Sequence, residues 1–377
     1  MASGDVIVIG AGIVGVSAAR SLAAQGAKVL VVERRRVGAE ASSAAAGIIG
    51  PQAEAEAETP LLAFALAGRD HHARLGPALE AETGIGLDYS SRGLLTVAFG
   101  EEREKELLAR ADWQRTRGLD VEVLGPEDVR EAEPNLSPAV RRALFFKGDH
   151  CVDNVRLVKA LAASAVSRGA AILSGRPVTE LLVEKGKVAG VRAGTESFHA
   201  PAVLSAAGAW AGLLAGDPAP PPVEPVRGQL VAFDVPPSSV RHVIFSDHGY
   251  LVPRSDGRLL AGSTTERAGF DKSVTAGGLR TVLGGALETA PMLGDVRITD
   301  SWAGLRPWAP DGLPVVGPGA LPGLFHASGL YRSGILVGPL VGEIAADLIQ
   351  GRSPRADISA FSPARFHWSG EVARGSG

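Results

Sequence analysis

The 377-residue sequence holds one cysteine, Cys151, so neither an internal disulfide nor a cysteine-based metal cage can form. A lone thiol agrees with a reducing cytosol, and Cys151 reads as a structural residue. Excess charge of one sign is also lacking: 38 Lys and Arg stand against 41 Asp and Glu, a net charge of −3. Such a surface offers no global attraction to nucleic acid or anionic lipid. The most apolar stretch, Ile335 to Ile349, carries Glu343 and Asp347 and falls short of the roughly 20 apolar residues that a bilayer span needs. The first apolar run begins at Val6 with no basic segment before it, and glycines interrupt it, unlike a secretory signal. His-Glu-x-x-His spacing and a Gly-x-Ser-x-Gly elbow are missing too, which removes the common metallohydrolase and serine hydrolase templates. A soluble cytoplasmic protein with a small-molecule partner is the expectation.

What is abundant is glycine and proline, 48 and 25 residues, in a chain too long for one hydrophobic core, since single cores stop growing near ~300 residues. Val6 to Ile9 is a short β-branched run that stops at glycines. Val14 to Ala24 then reads as a helix closed by Gly26, and Lys28 to Glu33 as a second strand. This order opens a parallel, doubly wound sheet. Pro60 to Glu82 and Glu101 to Arg117 read as helices flanking a strand at Arg92 to Phe99. A helix at Asn154 to Arg168 precedes strands near Ala171, Leu181 to Glu184, Lys187 to Ala193 and Ala202 to Ser205, with Gly186 as a turn. After the proline-dense, hinge-like Pro218 to Pro225 come strands at Gln229–Val235, Val243–Ser246, Tyr250–Arg254 and Arg258–Gly262. Asp256-Gly257 is the expected primed turn between the last two. Leu324 to Ala327 and Gly338 to Gly351 close the chain as strand and helix, and His71-His72 is expected on a helix surface.

The fold class that follows is α/β: a discontinuous Rossmann-type lobe plus a mostly antiparallel α+β lobe. Gly10-Ala-Gly12-Ile13-Val14-Gly15 lies between strand and helix, with Glu33 ending the next strand. Gly10 permits the sharp turn, Gly12 lets a pyrophosphate approach the backbone, and Gly15 lets helix and strand pack, while the helix N-terminus attracts phosphate. Glu33 is placed to accept from ribose hydroxyls. Two further segments carry small residues where a long cofactor would pass, Ala41-Ser42-Ser43-Ala-Ala-Ala46-Gly47-Ile48-Ile-Gly50 and Val203-Leu-Ser-Ala206-Ala-Gly208-Ala-Trp210.

Together with the closing Gly-Leu-Arg306-Pro-Trp-Ala-Pro-Asp-Gly-Leu-Pro-Val-Val-Gly317, these segments resemble the D-amino-acid oxidase family of flavoproteins over nearly the whole chain. Pro225-Val-Arg-Gly-Gln229 and Tyr250-Leu-Val-Pro-Arg254 make it most similar to the glycine oxidases. The resemblance implies FAD bound by residues 1–86, 146–220 and 305–365, and a substrate-binding lobe of 87–145 and 221–304. FAD contacts are implied at Gly10, Gly12, Ile13, Val14, Gly15, Glu33, Arg34, Ser42, Ser43, Ala46, Gly47, Ile48, Val178, Ala206, Gly208 and Trp210. Further contacts are implied at Arg306, Gly329, Arg332, Ser333, Gly334 and Ile335. No cysteine follows Cys151 to attach a flavin, so non-covalent FAD is expected.

For the substrate, the family match makes Arg306 a bidentate carboxylate clamp. Tyr250 would be a second donor to the same carboxylate, Arg332 and His248 would line the site, and His248 would share a strand face with Tyr250. The implied reaction is oxidative deamination of a small amino acid or N-substituted glycine. Hydride passes from the α-carbon to flavin N5, the imine hydrolyses, and O2 becomes H2O2. A dehydrogenase using a quinone or carrier and a non-catalytic dinucleotide-binding scaffold are the alternatives. Some relatives form tetramers, so a homo-oligomer is compatible with the resemblance.

Overall fold

The computed structural model describes residues 4–366. The chain divides into two compact units: residues 1–42, 158–225 and 306–377 form the first, and 43–157 with 226–305 the second.

In the first unit, β1 (Val6–Ile9) and β2 (Val29–Val32) flank the helix α1 (Ile13–Ala24) in sequence. Both strands are buried along their whole length, which is why they read as unbroken apolar runs and not as alternating ones. They pair in parallel, Val6 with Val29 through Ile9 with Val32, and β1 pairs in parallel with Ala202–Ser205 on its other side. Leu324–Ser328 and the antiparallel Val315–Pro318 extend one edge, and Ala171–Leu173 closes the other. A separate three-stranded sheet, Val178–Glu184, Lys187–Ala193 and Glu196–His199, turns first at Lys185-Gly186. Both turn residues have positive φ, 48° and 73°, as a primed two-residue hairpin requires.

The closing helix runs Gly334–Ile349, four residues longer at its start than expected, because Pro339 is tolerated inside it. It packs on α1 through small residues: a Cβ on Gly338 would lie 2.7 Å from Ile13 Cγ2, and one on Gly342 2.6 Å from the Val14 carbonyl.

The second unit is built on an eight-stranded sheet in the order 298–308, 224–234, 258–262, 249–253, 243–246, 94–98, 142–146, 122–124. Neighbours run antiparallel in every registered pair except Val243–Ser246 with Leu94–Ala98. Alternate residues feed two cores. Leu95, Val97, Val231, Phe233, Leu251 and Leu259 lie on one face; Leu94, Ala98, Leu230, Ala232, Val252 and Leu260 lie on the other. The first face takes the helix Ala276–Thr289, whose four glycines lower its helix propensity and mask it in the sequence. Thr275 caps it by accepting from Gly278 N.

Other expectations need correction. Asp256-Gly257 is not a two-residue primed turn: only Gly257 has positive φ, 89°, while Arg254 N donates to Arg258 O and Gly257 N to Arg254 O. The connection is therefore a three-residue loop ending in a left-handed glycine. His71 and His72 are buried, not surface residues, since the helix Pro60–Thr83 turns Phe64, Gly68, His71, His72 and Leu75 inward. His72 Nδ1 lies 2.7 Å from the Tyr89 hydroxyl. Residues 43–86 and 146–157 pack with the second unit. There the buried Asp149 carboxylate accepts from Gln52 N and Ala53 N and pairs with Arg69, although burial pushes its pKa up to about 6. The proline stretch Pro218 to Pro225 does end where the chain passes from the first unit to the second, with its last residues already in the strand Glu224–Asp234.

Gly342→Ala should lower the melting temperature, an overpacking cost of about 1–3 kcal/mol at the α1 contact. Gly284→Ala, where an added Cβ meets nothing within 4 Å, should be neutral or stabilising. Calorimetry of the two variants reads the contrast, and equal melting temperatures would remove the close-packing account.

Candidate active site

The turn after β1 is set by conformation. Gly10 has φ 97° and donates its amide to Val32 O, and a side chain there would lie 2.7 Å from the Ala206 carbonyl. Ala206 returns an amide to Ile9 O at 3.0 Å, so the ends of two neighbouring parallel strands are laced together. Gly15 is required by packing, since a Cβ would overlap Gly10 O. Gly12 is different: a Cβ there would meet only the Ser42 hydroxyl, at 3.2 Å, so the residue guards open space above the turn. No side chain of Gly12 can cap α1, and its first turn has no acidic residue. Ser42 Oγ, on the one-turn helix Ala41–Ala44, accepts from Ile13 N at 3.0 Å. With the Ile13 amide taken by Ser42, the rest of the positive end of α1 lies beside the space that Gly12 leaves open.

Glu33 is buried, with one carboxylate oxygen accepting from Ala11 N at 2.7 Å and the other from Arg35 N at 2.8 Å. The side chain therefore ties the end of β2 to the glycine turn, and each oxygen keeps a lone pair for a further donor. The next residue, Arg34, pairs with Glu40 and stacks its guanidinium 3.5 Å over the Trp210 ring. Val178 begins its strand opposite Ala193, and Gly208 O accepts from Ser328 Oγ at 2.9 Å.

The strand Ile298–Trp308 carries Arg306 near its end, and the loop before the closing helix carries Gly329, Arg332 and Ser333. Tyr331 N donates to Pro307 O at 2.8 Å, and Leu330 bridges Trp308, so the segments bearing Arg306 and Arg332 are fastened side by side. Ser333 spends its hydroxyl on Leu330 O and so does not itself cap the helix that begins at Gly334.

In the second unit the carbonyls of Ser43 and Ala46 accept from Asn154 and Arg254, and Ile48 pairs with Cys151. Burial pushes the Cys151 thiol up to about 11, in keeping with a structural residue. Tyr250 lies across Gly262, where a Cβ would come 2.7 Å from its hydroxyl, and its ring is tilted against Phe245. His248 is not on a strand face with Tyr250. It occupies the turn before the strand Gly249–Pro253, with Nε2 3.1 Å from Glu288 Oε2 and its ring against Phe99, because the helix Ala276–Thr289 brings Gly285 and Glu288 to that turn. Nothing local in the sequence singles out Asn154, and for Arg254 the one signal is its place at the end of Tyr250-Leu-Val-Pro-Arg254. Among the described residues no group of three His, Cys, Asp or Glu side chains could hold a metal, and no helix is long and apolar enough to cross a membrane.

The family model described as FAD dependent oxidoreductase, DAO, matches residues 5–348. The glycine oxidase of Pseudomonas putida is 32% identical over 366 residues, 96% of this chain and 98% of that protein. The crystal structure of glycine oxidase from Geobacillus kaustophilus matches with TM-score 0.93 at 34% identity, covering 97% of this chain and 100% of that one. An iminodiacetate oxidase from Chelativorans sp. BNC1 matches with TM-score 0.85 at 28% identity, covering 95% and 98%. The first unit fits such a cofactor: Gly12 leaves space where a Cβ would stand, the glycine turn sets the N-terminus of α1 beside that space, and Glu33 is held at the end of β2.

Glu33→Gln keeps the length of the side chain but has one acceptor oxygen for two backbone donors. The protein without cofactor should lose about 1–3 kcal/mol of stability, read as a lower melting temperature; an unchanged value would mean that the two amides find other partners.

Proposed function

The chain belongs to the DAO family of FAD-dependent oxidoreductases, which act on CH–NH groups, and we propose that its substrate is a small amino acid or an N-substituted glycine. The observation that carries this reading is the fastening of the Arg306 strand to the Arg332 loop just before the closing helix. Two guanidinium groups there suit a substrate with a carboxylate, and the family match points to Arg306 as its bidentate partner. Tyr250 is proposed as a second hydrogen-bond donor to that carboxylate and Arg332 as a lining residue. His248, with its ring engaged by Phe99 and Glu288, is proposed to shape the site from its turn and not to move a proton.

The cofactor is proposed to lie along Gly10 to Gly15, Glu33 and Arg34, Ser42 and Ser43, Ala46 to Ile48, Val178, Ala206 to Trp210, and Gly329 to Ile335. FAD, held without a covalent bond, supplies the acceptor for two electrons and a hydrogen from the substrate α-carbon. The residues around the substrate hold its carboxylate and so aim that carbon; with the amine neutral, no side-chain base is required. The amine nitrogen gives up a proton and the C–N bond becomes an imine. Water converts this to an oxo acid and ammonia, or to glyoxylate and a primary amine when the substrate is an N-substituted glycine. Dioxygen takes the two electrons and two protons as hydrogen peroxide.

Anaerobic titration of the yellow protein with glycine, sarcosine, D-alanine, iminodiacetate and longer N-alkyl glycines tests the substrate class. One of them should abolish the visible absorbance; a band that survives all of them rejects the reading. Admission of air should then restore the band with stoichiometric peroxide, and slow recovery would indicate a carrier-linked dehydrogenase. Arg306→Ala should raise KM and lower kcat/KM by about tenfold to a hundredfold, the worth of a charged hydrogen bond. Kinetics equal to those of the parent would remove the clamp.

A further inference from the structure

The segment Ser43–Gly47 has an unusual distribution of hydrogen bonds. Ser43 O accepts from Asn154 Nδ2 at 3.2 Å, Ala44 O from Trp302 Nε1 at 3.0 Å, Ala46 O from an Arg254 terminal nitrogen at 2.8 Å, and Gly47 O from Val152 N at 2.9 Å. Four carbonyls within five residues are therefore held by other segments of the second unit, to which this stretch belongs. A trans peptide is planar, so each N–H points opposite to the carbonyl it adjoins. Drawing Ala46 O and Gly47 O inward turns the amides of Gly47 and Ile48 outward.

Arg254 is the centre of this arrangement. It is 7% exposed, and its oxygen partners are all neutral: Val152 O at 2.9 Å, Ala46 O at 2.8 Å and Asn154 Oδ1 at 3.1 Å. A buried charge held by neutral oxygens is costly to keep, and an apolar residue would fill the volume at less cost if stability alone were at stake. Asn154 completes the frame, since its amide oxygen takes Arg254 while its nitrogen holds Ser43. Gly47 is what allows the approach: it has φ 72°, and a Cβ would stand 2.9 Å from the Arg254 nitrogen and overlap Val152 O.

We propose that Arg254, braced by Asn154, is a positioning residue for the cofactor: it holds the Ala46 carbonyl inward so that the Gly47 and Ile48 amides are aimed as donors at acceptor atoms of FAD. The inference rests on the reading that the Ser43–Ile48 segment faces FAD. Its guanidinium touches neither cofactor nor substrate; it acts through the backbone of the loop. Lysine keeps the charge but cannot span the three oxygens with a planar fork.

The test measures FAD dissociation constants by fluorescence titration of the apoprotein, beside apoprotein melting temperatures. The variants are Arg254→Lys, Asn154→Ala, Ser43→Glu and, as a control, Arg110→Lys. Arg110 is another buried arginine on backbone carbonyls, those of Gln52 and Ala53, outside the loop. Arg254→Lys and Asn154→Ala should each weaken FAD binding at least tenfold, whereas Arg110→Lys should lower the melting temperature with FAD affinity kept. If Arg254→Lys and Asn154→Ala weaken FAD no more than the control does, the two residues are merely structural and the inference falls. Ser43→Glu sets a carboxylate on the loop itself. Should it weaken FAD while the Arg254 and Asn154 variants do not, the loop reading stands without this inference; should it leave FAD affinity unchanged, the loop reading fails and takes the inference with it. Arg254→Lys and Asn154→Ala serve independently, so one variant that fails to fold leaves the other to decide.

Discussion

The close approach of backbones at the first glycine turn is the constraint on which the first unit rests. Gly10 O occupies the place where a Cβ on Gly15 would stand, and Ala206 O the place where one on Gly10 would approach. Only with both side chains absent can α1 begin directly at the end of β1 while Ala202–Ser205 runs alongside. That geometry sets a helix terminus, a carboxylate and the ends of two strands around one open space. Burial of β1 and β2 on both faces fixes the sheet, and the small residues between α1 and the closing helix fix the second helix terminus relative to the first.

The second unit solves a different problem. Its long sheet buries both faces by strict alternation, so the positions of individual side chains such as Tyr250 follow from strand register: Tyr250 opposes Gly262, whose missing side chain makes room for the phenol. Polar groups inside this unit are fastened to backbone more than to one another. Asp149 holds two amides, Arg110 two carbonyls, and Arg254 two carbonyls and an amide oxygen. Buried charges used this way specify the path of irregular chain where no sheet or helix can do so. Between Ser43 and Ala55 the elements are short, Ala41–Ala44, Ile48–Ile49 and Pro51–Glu54, and Arg254, Asp149 and Arg110 hold the backbone at Ala46, Gln52 and Ala53.

Much of the functional reading was legible because its signals are local. The strand, glycine turn, helix, strand order needs only neighbouring residues, and the acidic residue at the end of β2 lies at a fixed distance along the chain. The closing Arg-Pro-Trp segment could be recognised as a string. His248 was misread for a related reason: alternation along a strand was extended one residue past its end, into a turn governed by the helix Ala276–Thr289. That helix was itself hidden because glycine lowers helix propensity, while Gly278 and Gly285 are there to let Gln229 and the His248 backbone approach. His71 and His72 were misplaced because polarity was taken for exposure, whereas a long helix packed on one side buries whatever its period brings inward.

By itself the sequence determined the class of fold, the first glycine turn and the family, because each depends on residues close in the chain or on an ordered string of motifs. Only the tertiary structure decided which polar groups hold which backbone: that Glu33 serves Ala11 and Arg35, that Pro307 is tied to Tyr331, and that Arg254 reaches back to Ala46. A hydrogen bond is set by distance and direction within about half an ångström. Between residues two hundred positions apart, that precision comes from the packing of every element between them, which no spacing along the chain encodes.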